Sequence, residues 1–177
     1  RGGAIYINGG FSNILVNNSR FGVNGYNRGD NGGAVFMSSS AVFNNSIFSN
    51  NIADDNGGAF YVTNAASNSV FDNCIFNNNA AYGSYSAVTG GGAMAIYGTS
   101  NKIINSQFNK NWVGDNGGAL VVYRSNNEII NNSFDENKAA RGGAICFRLL
   151  STDVNENNSI IGCNFTGNGK PFSYSKE

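Results

Sequence analysis

The sequence of 177 residues contains no histidine, and charged residues make up only 12% of it. Without histidine, neither a Ser–His nor a Cys–His nucleophile can form, and histidine metal ligands are excluded as well. Eleven basic and eleven acidic residues cancel, and no run of like charge occurs. The basic surface typical of nucleic-acid-binding proteins is therefore missing, and we expect no nucleic-acid partner. We also expect no cofactor.

Long apolar runs are also missing, because no stretch approaches the roughly 20 apolar residues that cross a bilayer. We therefore expect no membrane insertion by this segment. Cysteine is scarce, and Cys74, Cys146 and Cys163 show no CxxC or other metal-binding spacing. An odd number of thiols cannot complete an internal disulfide set. Buried free thiols are the favoured interpretation, since free cysteine is among the most buried residue types.

Glycine and apolar residues are abundant instead. The chain has 24 glycines, 41% hydrophobic residues and 12% aromatic residues, and the apolar residues are spread along its whole length. A disordered polar segment lacks such apolar surface. The length suits one domain, so we predict a single ordered unit.

Two short motifs alternate six times along the chain. The first is Gly-Gly-Ala followed by an apolar residue, with starts 30, 25, 34, 26 and 25 residues apart; it begins at Gly2, Gly32, Gly57, Gly91, Gly117 and Gly142. The second is FxxN, which follows each time as Phe21/Asn24, Phe48/Asn51, Phe76/Asn79, Phe108/Asn111, Phe134/Asn137 and Phe165/Asn168. Strict alternation at this period predicts a repeat architecture.

The repeat is typical of strands rather than helices. Gly, Asn, Ser and β-branched residues are weak helix formers, and no 3.6-residue period is sustained. A period of 25 to 30 residues leaves room for three short strands and three turns. We predict an all-β, right-handed parallel β-helix (solenoid) of about six coils over residues 1–168, with three short strands per coil.

Stacked coils place equivalent residues directly above one another at roughly 4.8 Å. The phenylalanines of FxxN are therefore predicted to form an internal aromatic column, and the asparagines a column of hydrogen-bonded amides. Gly-Gly is expected at turns that need positive φ and close approach of the next coil. Residues 169–177, with the single proline at Pro171, are expected to leave the coil pattern, and the opening inside a motif suggests a piece of a longer chain.

The alternation of GGA-apolar with FxxN over residues 2–168 resembles the repeat of the chlamydial polymorphic membrane proteins. Similar repeats occur in adhesin-like surface proteins of methanogenic archaea. The resemblance implies a β-helical, secreted or surface-anchored protein involved in adhesion. It implies an extracellular or cell-surface location, and a partner that is a host or neighbouring cell surface, a protein or a polysaccharide.

Parallel β-helices also include polysaccharide lyases and glycoside hydrolases, so a carbohydrate-active enzyme is the alternative. Such enzymes need a calcium-binding carboxylate cluster or a pair of carboxylates. Only Asp30, Asp55 and Asp115 recur, each just before Asn-Gly-Gly. Asp-Asn-Gly is an ordinary turn sequence, so turns are favoured over a calcium site. We predict no catalytic residue and no metal site.

Insertions into the repeat are the better candidates for binding, because repeat proteins vary their loops on one face. One runs from Ala80 to Gly90 with Tyr82 and Tyr85, and the other from Arg148 to Asn158 with Asp153 and Glu156. Exposed tyrosines suit a carbohydrate or protein contact. It is equally open that these insertions are surface loops that bind no partner. In that case the solenoid is a spacer.

Overall fold

The computed structural model describes residues 1–83, 90–149 and 156–170 as strands joined by short turns. The first two sheets each contain six parallel strands. Sheet A consists of β1 (Ile5–Ile7), β5 (Val35–Met37), β9 (Phe60–Val62), β13 (Met94–Ile96), β17 (Leu120–Val122) and β20 (Ile145–Phe147). Sheet B consists of β2 (Ile14–Asn17), β6 (Ala41–Asn44), β10 (Val70–Asp72), β14 (Lys102–Ile104), β18 (Glu128–Ile130) and β21 (Ser159–Ile161).

Two further sheets complete each turn of the chain. Sheet C consists of β3 (Arg20–Phe21), β7 (Ile47–Ser49), β11 (Ile75–Asn77), β15 (Gln107–Asn109), β19 (Ser133–Asp135) and β22 (Asn164–Thr166). Sheet D consists of β4 (Arg28–Gly29), β8 (Ile52–Ala53), β12 (Ala80–Ala81) and β16 (Trp112–Val113). Six strands in a sheet correspond to five full turns of a parallel β-solenoid. The parallel solenoid is confirmed, with three to four strands per coil, since the two-residue strands of sheet D add a fourth strand to four of the coils.

The core is a column of aromatic rings from equivalent positions of sheet C. Centroids of successive rings lie 4.7, 5.2, 4.6, 4.9 and 4.9 Å apart along Phe21, Phe48, Phe76, Phe108, Phe134 and Phe165. Phe43 of sheet B and Phe60 of sheet A pack against this column, Phe71 packs against both of them, and all three are fully buried. Burying aromatic side chains on stacked neighbours is what holds one coil to the next.

A ladder of buried amides closes the turn after sheet C. Each side-chain Nδ2 donates to the Oδ1 of the asparagine in the following coil at 2.8–2.9 Å, through Asn27, Asn51, Asn79, Asn111, Asn137 and Asn168. Backbone N–H groups donate to the same oxygens; for example, Asn51 N lies 3.0 Å from Asn79 Oδ1. These contacts satisfy polar groups that burial would otherwise leave unpaired.

The prediction that Asn24 starts this ladder is wrong, because Asn27 occupies that position. Three extra residues separate Phe21 from the ladder in the first coil. They form a turn in which Gly25 N donates to Gly22 O at 3.3 Å, and Asn24 lies exposed on it. The extra residues loop outward, since that keeps the amide ladder in register.

Candidate binding groove

Sheet D presents one outward-facing side chain per coil, and these side chains form the floor of a groove. Arg28, Ile52, Ala80 and Trp112 are paired in register. The floor residues that line the groove are Ile52 and Ala80. Because alanine lies between two larger side chains, the surface is depressed at Ala80.

Two exposed tyrosines from different coils form the walls. Tyr26 belongs to the longer turn of the first coil and is 65% exposed, and Tyr82 follows β12 and is 53% exposed. The Tyr82 backbone N–H donates to Ala53 O at 3.0 Å, which fixes the main chain at this wall. Its ring lies 5.7 Å from the Trp112 ring at 59°, so the two rings do not stack face to face.

Amide side chains complete the lining, from Asn24, Asn50 and Asn78. Asn78 Nδ2 donates to Asn50 Oδ1 at 2.7 Å, and Asn50 Nδ2 donates to Gly22 O at 3.4 Å. The groove encloses about 490 Å³, and its lining as described contains no charged side chain. A neutral surface of aromatic, aliphatic and amide groups favours a neutral ligand.

The nearest charges are paired with each other. Arg28 Nε donates to Asp54 Oδ1 at 2.8 Å, and this hydrogen bond together with the charge of Asp54 raises the pKa of Arg28. Arg28 lies in the first strand of sheet D, Asp54 directly follows the second strand, and the net charge of the pair is zero. It leaves the adjoining groove without a strong local field.

Among the predicted loop residues that the structure describes, Tyr82 lies at this groove and Glu156 does not. Tyr85 and Asp153 lie outside the described residues. Glu156 lies in a turn between sheets A and B, where its backbone N–H donates to Ser125 Oγ at 2.9 Å. The described structure therefore does not bring Glu156 together with Tyr82.

The three recurring aspartates have different environments. Asp55 N donates to Asp30 O at 2.7 Å, so these two residues stack in adjacent coils. Asp115 forms an ion pair with Arg141 and accepts a hydrogen bond from Asn116 Nδ2 at 2.7 Å. In the described ranges, no three His, Cys, Asp or Glu side chains come together as metal ligands would.

Sequence reasoning missed Tyr26 and Ile52 of the groove, and it assigned Ala80 to an insertion rather than to a strand. The signal for Tyr26 was the spacing of six rather than three residues between Phe21 and Asn27. The others belong to strands of two residues, which are too short for a periodic pattern to indicate.

The four stacked sheets place the chain in the class of parallel β-solenoids. Within it, residues 45–63 match the family profile of the Chlamydia polymorphic membrane protein repeat. This segment contains Phe48, Asn51 and Gly57-Gly58-Ala59, so the resemblance inferred from the two motifs is confirmed for one full alternation. The chain matches no curated protein and no solved structure. Its described residues include no helix with the length and apolarity needed to cross a bilayer.

Proposed function

We propose that this chain is a surface-exposed, adhesin-type solenoid that binds polysaccharide on a host or neighbouring cell. The match to the polymorphic membrane protein repeat supports the scaffold role, and the family name supports a surface location. The stacked phenylalanine and asparagine columns supply the scaffold. Contact with a partner is assigned to the groove between Tyr26 and Tyr82.

The observation that carries the proposal is the pair of exposed tyrosine rings flanking a depressed floor. The C–H faces of a sugar ring are apolar and pack on aromatic faces, while its hydroxyls need donors and acceptors around the rim. Tyr26 and Tyr82 supply the first kind of contact. Asn24, Asn50 and Asn78 supply the second. Aromatic rings add contact area at low entropic cost.

The test is a polysaccharide array probed with the purified chain and with two groove variants. Tyr82→Ala removes one wall, and Ala80→Ile fills the depression with the side chain that the second coil carries at Ile52. We expect each variant to lose at least about tenfold in apparent affinity, equivalent to about 1.4 kcal/mol. Thermal unfolding should be unchanged for Ala80→Ile, since the paired residues of the adjacent coils are an isoleucine, Ile52, and the larger Trp112.

A matched control is Tyr6→Ala, which removes a 46% exposed tyrosine from sheet A, away from the groove. It should bind like the unchanged protein. The proposal fails if the unchanged chain binds no polysaccharide, or if Ala80→Ile binds as well as the unchanged chain. If neither the unchanged chain nor any variant binds a polysaccharide, the result is the one expected of a spacer.

A carbohydrate-active enzyme is the alternative, and it is tested in the same preparation. Incubation with pectin-like polymers would release reducing ends or unsaturated products, and loss of that release in Asp55→Ala would establish the enzyme and displace the adhesin proposal. Asp55 is the variant of choice because burial raises the pKa of its carboxyl group, as a general acid requires.

A further inference from the structure

A second column of aromatic residues lies on the outer face of sheet A. Tyr6, Phe36 and Tyr61 are in register in the first three coils, and Tyr97 and Tyr123 continue the column two residues further along their coils. Ring centroids are 5.5, 5.2, 5.0 and 4.3 Å apart. Because the rings pack on one another, the inner members present edges and hydroxyls rather than faces.

A cleft of about 460 Å³ runs beside this column. Tyr61 and Tyr97 form its aromatic side, and Asn31, Thr63 and Asn64 its polar side. Burial raises the pKa of both tyrosine hydroxyls, so these hydroxyls stay neutral throughout the physiological range. Arg1 and Arg124 also line the cleft, as does Asp30, so charges of both signs surround it.

Three buried oxygens have no hydrogen-bond partner in the described part of the chain; one belongs to a residue that lines the cleft, and two belong to residues behind its lining. They are Thr63 Oγ1, Asp55 Oδ1 and Tyr123 Oη. Thr63 lines the cleft, and Asp55 lies beside Asn31 and Tyr61, with which it interacts. Tyr123 is fully buried and stacks on Tyr97 at 15°. Buried oxygens without partners cost stability, so each of these three needs a reason.

We propose that this cleft is a second binding site, which takes a neutral, hydroxyl-rich ligand such as a single sugar unit held edge-on by hydrogen bonds. A hydroxyl group can donate to Asp55 and both donate to and accept from Thr63 and Tyr123. Charges of both signs in its lining oppose a ligand with strong net charge of either sign. The site does not rest on the groove between Tyr26 and Tyr82, which uses ring faces instead.

All three oxygens are buried in the free protein, and only Thr63 lines the cleft, so binding requires the ligand to move the side chains that cover Asp55 and Tyr123. Binding therefore gives these oxygens the hydrogen-bond partners that they lack in the free protein. The same oxygens that lower stability without ligand should raise affinity with it. Removing one of these oxygens should therefore maintain or raise the stability of the free protein and lower its affinity for the ligand. A purely structural residue would not show this combination.

The experiment uses Thr63→Val and Tyr123→Phe, which remove one hydroxyl each and keep the shape. Both variants should keep the melting temperature of the unchanged protein or raise it by about 2–4 °C, because a buried unpaired group is lost. Glucose, galactose and N-acetylglucosamine are titrated separately into labelled protein and followed by NMR. We expect saturable shifts at Thr63 and Asn64 with at least one sugar, weakened about threefold to tenfold in each variant.

Tyr82→Ala serves as the control and should leave these shifts intact, which separates the cleft from the groove. The proposal is overturned if none of the three sugars gives saturable shifts at the cleft. It is also overturned if Thr63→Val and Tyr123→Phe lower the melting temperature, because their hydroxyls would then be paired in the free protein. Undiminished sugar binding in both variants overturns it as well.

Discussion

At the scale of single residues, neighbouring asparagines have different structural roles. Asn78 has a φ of 54° and lies exposed at a left-handed corner, a conformation that asparagine tolerates better than most residues. Asn79, the next residue, is fully buried and belongs to the amide ladder. One residue type thus supplies both the bend of the coil and the hydrogen bonds that join coils.

Replacing Asn79 by alanine removes a side chain that accepts from Asn51 N and Nδ2 and donates to Phe48 O and Asn111 Oδ1. Each buried group left unpaired costs roughly 1–3 kcal/mol, so we expect a loss of at least about 3 kcal/mol in the free energy of unfolding. Chemical denaturation measures it.

The control is Asn73→Gly in the same coil. Asn73 is exposed at a φ of 50° and makes one amide contact, to Asn45 Oδ1 at 2.7 Å. Glycine adopts this φ freely, and the free energy of unfolding should change by less than about 1 kcal/mol. Similar losses in the two variants would contradict the assignment of the ladder as the stabilising amide column.

The corner position also shows a limit of sequence reasoning. Lys110 and Glu136 occupy it in the fourth and fifth coils, with φ of 55° and 52°. Neither residue favours the left-handed region. Their side chains approach to 3.7 Å as an exposed ion pair, which is worth little by itself. Stacking of the coils imposes the conformation there, so local preference could not predict it.

At the scale of the element, the two glycines of each pair are needed for different reasons. Gly57 has a φ of 66°, which only glycine adopts easily. Gly58 has no such requirement, but a Cβ there would collide with Gly92 O and lie 2.6 Å from Ala80 N of the next coil. The first glycine turns the chain, and the second lets the next coil approach.

Gly58→Ala should therefore separate two coils without any loss of side-chain contacts. Overpacking typically costs 1–3 kcal/mol and more where backbone must move, so we expect at least about 3 kcal/mol of destabilisation. Gly114→Ala is the matched control, because a Cβ at Gly114 meets nothing within 4 Å. Thermal unfolding of the two variants decides the point, and equal melting temperatures would refute the close-approach explanation.

At the scale of the whole molecule, each coil contacts only its neighbours. Phe76 in the third coil is fully buried, whereas Phe165, at the same place in the last described coil, is 49% exposed. In such a one-dimensional stack, local stability depends on having a neighbour on both sides. The inner coils should therefore be the most stable part of this chain.

Hydrogen exchange tests this gradient. Amides of β11 and β15 should exchange at least about a hundredfold more slowly than those of β22, a difference of about 2.7 kcal/mol in opening free energy. All three strands belong to sheet C and form equivalent parallel pairings. Uniform protection along the sheet would show that the chain unfolds as one cooperative unit instead.

The sequence by itself determined the repeating unit, because equivalent residues of successive coils contact each other and therefore recur. The Phe21-to-Phe165 column could be predicted for that reason, as could the parallel solenoid. Tertiary structure alone decided which residues take the repeat positions where the repeat is interrupted. Asn27 rather than Asn24 belongs to the amide ladder, because the partly buried hydrogen bond to Asn51 stabilises the fold whereas the three-residue spacing of the motif does not by itself. The groove joins Tyr26 and Tyr82 from the first and third coils, and such non-equivalent residues leave no period in a sequence.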